Sequence, residues 1–160
     1  PALPGCVTQG DTRDEALAVT LLHDVLTRPT GTGDALSVAS ALWKARDDFG
    51  VERAEFLPYW SNGDLFAPSP GSVYVSAYRR PGKGLLLVVS NLGKEPADAT
   101  VAIGAQAIKG TVGEVEAVDA LTGEAVSLER RQVGGGERWV LSTPLEPLRW
   151  RLIRVQARGR

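Results

Sequence analysis

The chain of 160 residues contains no methionine, one cysteine and one histidine. A single thiol, Cys6, excludes an internal disulfide and a cysteine-rich metal centre, and one histidine leaves too few nitrogen or sulfur ligands for a zinc site. No metal and no cofactor is therefore expected. The formal net charge is only −1, which gives no electrostatic reason for a nucleic-acid partner or an anionic membrane surface. The longest apolar stretch, residues 84–89, is far too short to span a bilayer, and no charged–apolar–cleavage pattern opens the chain. A phosphate loop with its Lys-Ser/Thr is absent, as is a G-x-S-x-G elbow, so nothing here reads as nucleophilic catalysis. The start at Pro1 and the lack of methionine lead to the expectation of a piece or processed product of a longer protein.

What is present is ordinary globular material, 43% apolar and 23% charged, so most of the chain is expected to fold. Arginine outnumbers lysine fourteen to four, which reads as the codon usage of a GC-rich bacterial genome rather than as phosphate recognition.

The texture changes at Gly50. Residues 16–22 (ALAVTLL) form a near-continuous apolar run, the pattern of a parallel strand covered on both faces, and it ends in His23-Asp24. Residues 28–33 read as a loop, with Asp34 as N-cap of a helix over 35–49. That helix places Leu36, Ala39, Leu42, Trp43 and Phe49 at helical spacings, with Lys44, Arg46 and Asp47 largely on the other side. Gly50 suits the left-handed C′ position that ends it.

Beyond Gly50 the period becomes two. Residues 54–60 read as extended, with Pro58 marking an edge or bend, and 61–71 as a loop. Residues 73–79 and 85–90 form a hairpin about the turn at 81–84. The second of these runs (LLLVVS) has no polar alternation, so it is the expected central strand, covered on both faces. Residues 100–103, 112–120, 124–128, 130–133 and 138–142 continue the pattern, with Gly134-Gly135-Gly136 as a hairpin turn. In residues 148–155 the apolar face swaps near Leu152-Ile153, the mark of a bulge. The expected fold is mainly β: an antiparallel β-sandwich over residues 51–160, preceded by a strand–helix segment (residues 1–50) left from an α/β barrel domain.

Three groups of residues could carry function. His23 and Asp24 form the only histidine–carboxylate pair and would sit at a strand end, where α/β enzymes hold substrate. Residues 56–64 (FLPYWSNGD) combine rings with polar groups, so Trp60, Asn62 and Asp64 could bind a sugar, the ring stacking on a pyranose and the polar groups meeting its hydroxyls. The same stretch could instead be an interdomain wedge, with Tyr59 and Trp60, helped by Trp43, packing the sandwich onto a neighbour. Asp47-Asp48 invites a paired-carboxylate glycosidase reading, but the last turn of a surface helix makes it solvated charge.

Several stretches together resemble the C-terminal end of bacterial glycosidase-like proteins in which a barrel is followed by a β-sandwich. They are Leu42-Trp43 with Asp48-Phe49-Gly50, residues 55–60 (EFLPYW), 75–80 (VSAYRR), 85–92 (LLLVVSNL), 119–124 (DALTGE) and 148–155 (LRWRLIRV). Their order is similar to the tail of glycosidases related to the family 123 hexosaminidases. The resemblance implies a carbohydrate-active parent whose catalytic acids lie on earlier barrel strands, without counterpart here. The chain would then be an inactive accessory portion, braced against a catalytic barrel in the same protein or a second chain. Self-assembly with identical subunits, as a structural or surface protein, and a carbohydrate-binding module are the alternatives.

Overall fold

The computed structural model describes residues 13–26, 34–108 and 114–158. Residues 1–12, with Cys6 among them, and the expected loop at 28–33 lie outside them, as do the side chains of Arg13, Asp34, Ala35 and Leu36.

The segment expected to be a strand is helical. Helix α1 spans Arg13–Thr20 and continues as a 3-10 turn over Leu21–His23. Leu17, Ala18, Leu21 and Leu22 are buried, whereas Glu15, Val19 and His23 are exposed, which is the i, i+4 signature of one buried face. The apolar run hid that period because Val19 is apolar yet 43% exposed. Helix α2, Asp34–Phe49, buries Leu42, Ala45, Arg46 and Phe49. It ends as expected at Gly50, whose φ of 78° is left-handed and whose N–H bonds the Arg46 carbonyl at 2.9 Å. The Arg80 guanidinium caps the Phe49 carbonyl at 2.8 Å.

Among the described residues, nine strands follow: β1 (Glu55–Leu57), β2 (Phe66–Ser69), β3 (Val73–Arg80), β4 (Gly84–Asn91), β5 (Ala97–Ile103), β6 (Val115–Asp119), β7 (Ala125–Val133), β8 (Gly136–Leu145) and β9 (Arg149–Ala157). They are hydrogen-bonded in the order β1-β3-β4-β9-β6-β7-β8-β5-β2, every neighbour antiparallel. The sheet curls into two layers because β7 serves both. Ala125 and Val126 pair with β6, and Ser127 onward pairs with β8. Between the layers lies the main core, with Val75, Leu87 and Ile153 from one and Phe66, Val101 and Leu141 from the other. Strand β2 falls inside the stretch expected to be a loop. It is a short edge strand whose Pro68 costs nothing there, because its missing N–H faces no partner.

The helices make a third layer. They cover the outer face of β3, β4 and β9, where Leu17, Leu21, Leu22, Leu42 and Phe49 pack on Tyr78, Leu86, Val88 and Leu152. This explains the uninterrupted apolar run of β4: Leu85, Leu87 and Val89 face the sandwich core while Leu86 and Val88 face the helices. Strand β9 obeys the same rule. The register through Leu152↔Val88 and Ile153↔Leu87 is continuous, so the face swap read as a bulge is a strand buried on both sides.

Two motifs behind the family resemblance are latches of this sandwich. Asn91 donates from Nδ2 to the Glu95 carbonyl at 2.8 Å and accepts the Gly93 N–H at 2.9 Å. Asp119 closes the turn at 119–124 by accepting the N–H groups of Leu121 and Thr122 on Oδ1, and its Oδ2 receives the Arg151 guanidinium at 2.9 Å.

Candidate functional site

The polar chemistry of the molecule concentrates where the helical layer meets the outer sheet face. His23 and Asp24 leave the 3-10 turn in different directions. Asp24 takes a left-handed conformation, φ 57°, and its Oδ1 accepts two bonds, from Arg46 Nη2 at 2.8 Å and from the Tyr78 hydroxyl at 2.5 Å. Arg46 Nη1 also donates to the Tyr78 oxygen at 2.7 Å, and its guanidinium lies 4.8 Å from the centre of the Tyr78 ring. Three side chains thus form a closed triangle in which each bonds the other two.

Burial pushes the Tyr78 phenol well above the ordinary tyrosine range. The Arg46 charge opposes that shift, and the bond donated to Asp24 adds to it. Burial by itself would lower the Arg46 pKa, but Tyr78 and Asp24 outweigh it and the guanidinium is held above its usual value. A phenol so hard to ionise and a guanidinium so hard to discharge make a poor acid–base pair. The triangle is a structural clamp of the helical layer onto β3.

Arg46 is a correction to the sequence reading, which set it on the solvated side of α2. Its side chain is 10% exposed. The signal was its i+4 spacing from Leu42, and its charge disguised a position whose stem packs with the core. Tyr78 enters the sequence reading as part of the strand at 73–79 and of the motif at 75–80, without a site role.

His23 turns the other way and joins an aromatic group. Its ring stacks on Trp60 at 5.5 Å between centroids, with an interplanar angle of 29°, and meets Tyr59 edge-on at 5.4 Å. Tyr59 contacts Trp60 at 5.1 Å and Tyr74 at 5.3 Å, both edge-on. The His23 Nδ1 lies 2.9 Å from the Val19 carbonyl oxygen. The base of the group is fixed by Ser76 on β3, whose hydroxyl accepts the Tyr59 N–H at 3.0 Å and donates to the Leu22 carbonyl at 2.7 Å. One serine therefore ties the helical layer, the central sheet and the aromatic loop together. Trp60 caps the group at 59% exposure.

Asn62 does not belong with Trp60 as a sugar contact. It is buried, and its amide donates to the carbonyls of Leu57 at 3.0 Å and Val75 at 2.9 Å. With both N–H bonds spent, it holds the loop that presents Trp60. Asp64 is exposed on that loop. Trp43 is 38% exposed on α2, and among the described residues it makes no ring contact with the His23–Tyr59–Trp60 group. Asp47 and Asp48 are exposed, and Asp48 pairs with Lys44 at 2.7 Å.

Among the described residues no group of histidine, cysteine, aspartate and glutamate is placed to hold a metal ion, and no helix is long and apolar enough to cross a membrane. Compared with known proteins, the chain matches no family model, no curated protein and no solved structure.

Proposed function

We propose that the chain is an accessory β-sandwich portion of a carbohydrate-active, glycoside hydrolase-like protein, and that it braces a catalytic neighbour through the face capped by Trp60. The carbohydrate class comes from the resemblance of its motifs to glycosidase tails. The docking role is supported by one observation. Among the described residues the large apolar side chains left exposed, Val19, Leu26, Val38, Trp43 and Trp60, lie on the helical layer or on the loop anchored to it, and Trp60 is the most exposed. A ring held between His23 and Tyr59 loses little conformational freedom when a partner covers it, which is how preorganised aromatic anchors gain affinity.

The sheet edges weigh against self-assembly by strand addition. Strand β1 is three residues long, and β2 is four residues long with a proline inside it. A second reading, a carbohydrate-binding module, draws on the flat stack of Trp60 on His23, which offers an aromatic platform to a pyranose ring.

The test is native mass spectrometry of the tagged protein purified from its own cells. A catalytic chain or domain held with it, and released or loosened by Trp60→Ala, is the expected result. A lone species that binds oligosaccharides saturably, with that binding lost in the same variant, would replace docking by sugar binding. A ladder of identical subunits would overturn both.

A further inference from the structure

A cleft of about 320 Å³ opens where the end of α2, the turn between β3 and β4 and the outer face of β9 converge, lined by Asp48, Phe49, Gly82, Lys83, Arg154 and Gln156. Its size falls in the range of small-molecule sites. At Gly82 an added methyl group would meet no atom within 4 Å, so the turn side is open.

One cation lining the cleft, the half-buried Arg154, has an unmet donor. Arg154 sits between Leu86 on β4 and Val118 on β6, two apolar neighbours, and its Nε is buried without a hydrogen-bond partner. Buried guanidinium N–H groups are ordinarily bonded, because leaving one unmade forfeits its hydration. The surrounding charges do not answer it. Asp48 is already matched to Lys44 at 2.7 Å. Glu116, beside the cleft, accepts the Gln156 amide at 3.0 Å and lies 3.9 Å from Arg158, whose nearer partner is Glu114 at 3.3 Å. Arg80 is spent on the Phe49 carbonyl. Among the described residues neither Arg154 nor Lys83 has an ion-pair partner, so the two cations that line the cleft stand unpaired.

We infer that this cleft is a site for an oxyanion, the carboxylate, sulfate or phosphate group of an acidic ligand, with Arg154 as the fork that grips two oxygens and Lys83 as a second positive charge. Guanidinium geometry suits that recognition, and lysine adds attraction without direction. The inference is separate from the docking role above, since none of the cleft residues belongs to the Trp60 group.

The experiment is a titration of the isotopically labelled chain at constant ionic strength with sodium sulfate, inorganic phosphate, glucuronate and, as neutral control, glucose. Saturable changes in the amide signals of Gly82, Lys83 and Gln156 are expected with the anions and not with glucose. The anion that saturates at the lowest concentration shows whether the natural group is a sugar carboxylate, a sulfate or a phosphate. Arg154→Gln should weaken binding about tenfold or more and Lys83→Gln about threefold, as charge-assisted bonds are lost. Asp48→Asn should tighten it. If Arg154→Gln does not fold, the opposite effects at Lys83 and Asp48 carry the test. Shifts that never saturate, that scatter over the surface, or that Lys83→Gln and Asp48→Asn leave unchanged would overturn the proposal.

Discussion

The Tyr78 hydroxyl donates to Asp24 across 54 residues of chain, and Arg46 bonds both partners from a third element. The consequences of cutting this triangle differ by corner. Asp24→Ala strands the Arg46 charge in a buried place with only a neutral hydroxyl, and should cost about 2–3 kcal/mol. Arg46→Met keeps the apolar stem and leaves Asp24, which is 41% exposed, to recover water, so it should cost only about 1 kcal/mol. Urea unfolding of the two variants checks the order. Equal losses, or a larger loss for Arg46→Met, would mean the clamp acts through packing alone.

The same triangle sets a pH dependence. The native state holds the Tyr78 proton more tightly than the unfolded chain does, so this contribution to stability is complete below the unfolded tyrosine pKa, near 10. Above that pH the unfolded state releases the proton first, and stability falls by up to about 1.4 kcal/mol per pH unit from this group. The difference in unfolding free energy between wild type and Tyr78→Phe should be flat from pH 7 to 9.5 and shrink above it.

At the aromatic site, stability and binding should separate. Trp60→Ala removes a mostly exposed ring and should cost about 1 kcal/mol or less, while abolishing partner or sugar binding. Asn62→Ala should do the reverse in kind. It deletes two buried bonds to backbone carbonyls, costs about 2 kcal/mol, and disturbs binding only as far as the loop loosens. Thermal unfolding paired with a binding titration distinguishes the two.

The β3–β4 turn makes a third contrast. Gly84 has φ 108° and passes so close to β9 that a Cβ would run into the Val155 carbonyl oxygen. Gly84→Ala should therefore cost about 3 kcal/mol or more, combining clash with a disallowed conformation. Gly82, also left-handed but facing open space, should lose only about 1 kcal/mol on the same change. Comparison of the two denaturation midpoints decides it.

Much of the fold was legible from residue order because it depends on local period and turn chemistry. The Gly50 stop, the hairpin at 81–84, the glycine turn at 134–136 and the doubly covered strand of Leu85–Val89 each follow from a few neighbouring side chains. Residues 16–22 show the limit. An apolar run satisfies both periods, and it is helical because the face of β3, β4 and β9 offers a broad apolar surface to one stripe, Leu17, Leu21 and Leu22, while Val19 is left outside.

The candidate site divides along the same line. That Trp60 would be a conspicuous ring beside polar residues could be read in the chain. That Asn62 is an anchor, that Arg46 is buried, and which groups Asp24 and His23 join was decided only when distant segments met, although adjacency alone already sets those two side chains in different directions. Hydrogen bonds such as Ser76 to Leu22, 54 residues apart, are fixed by packing geometry rather than by neighbours in sequence. A polar side chain carries the same letters whether it faces water or closes a buried bond, and only the tertiary structure supplies the partner that decides between them.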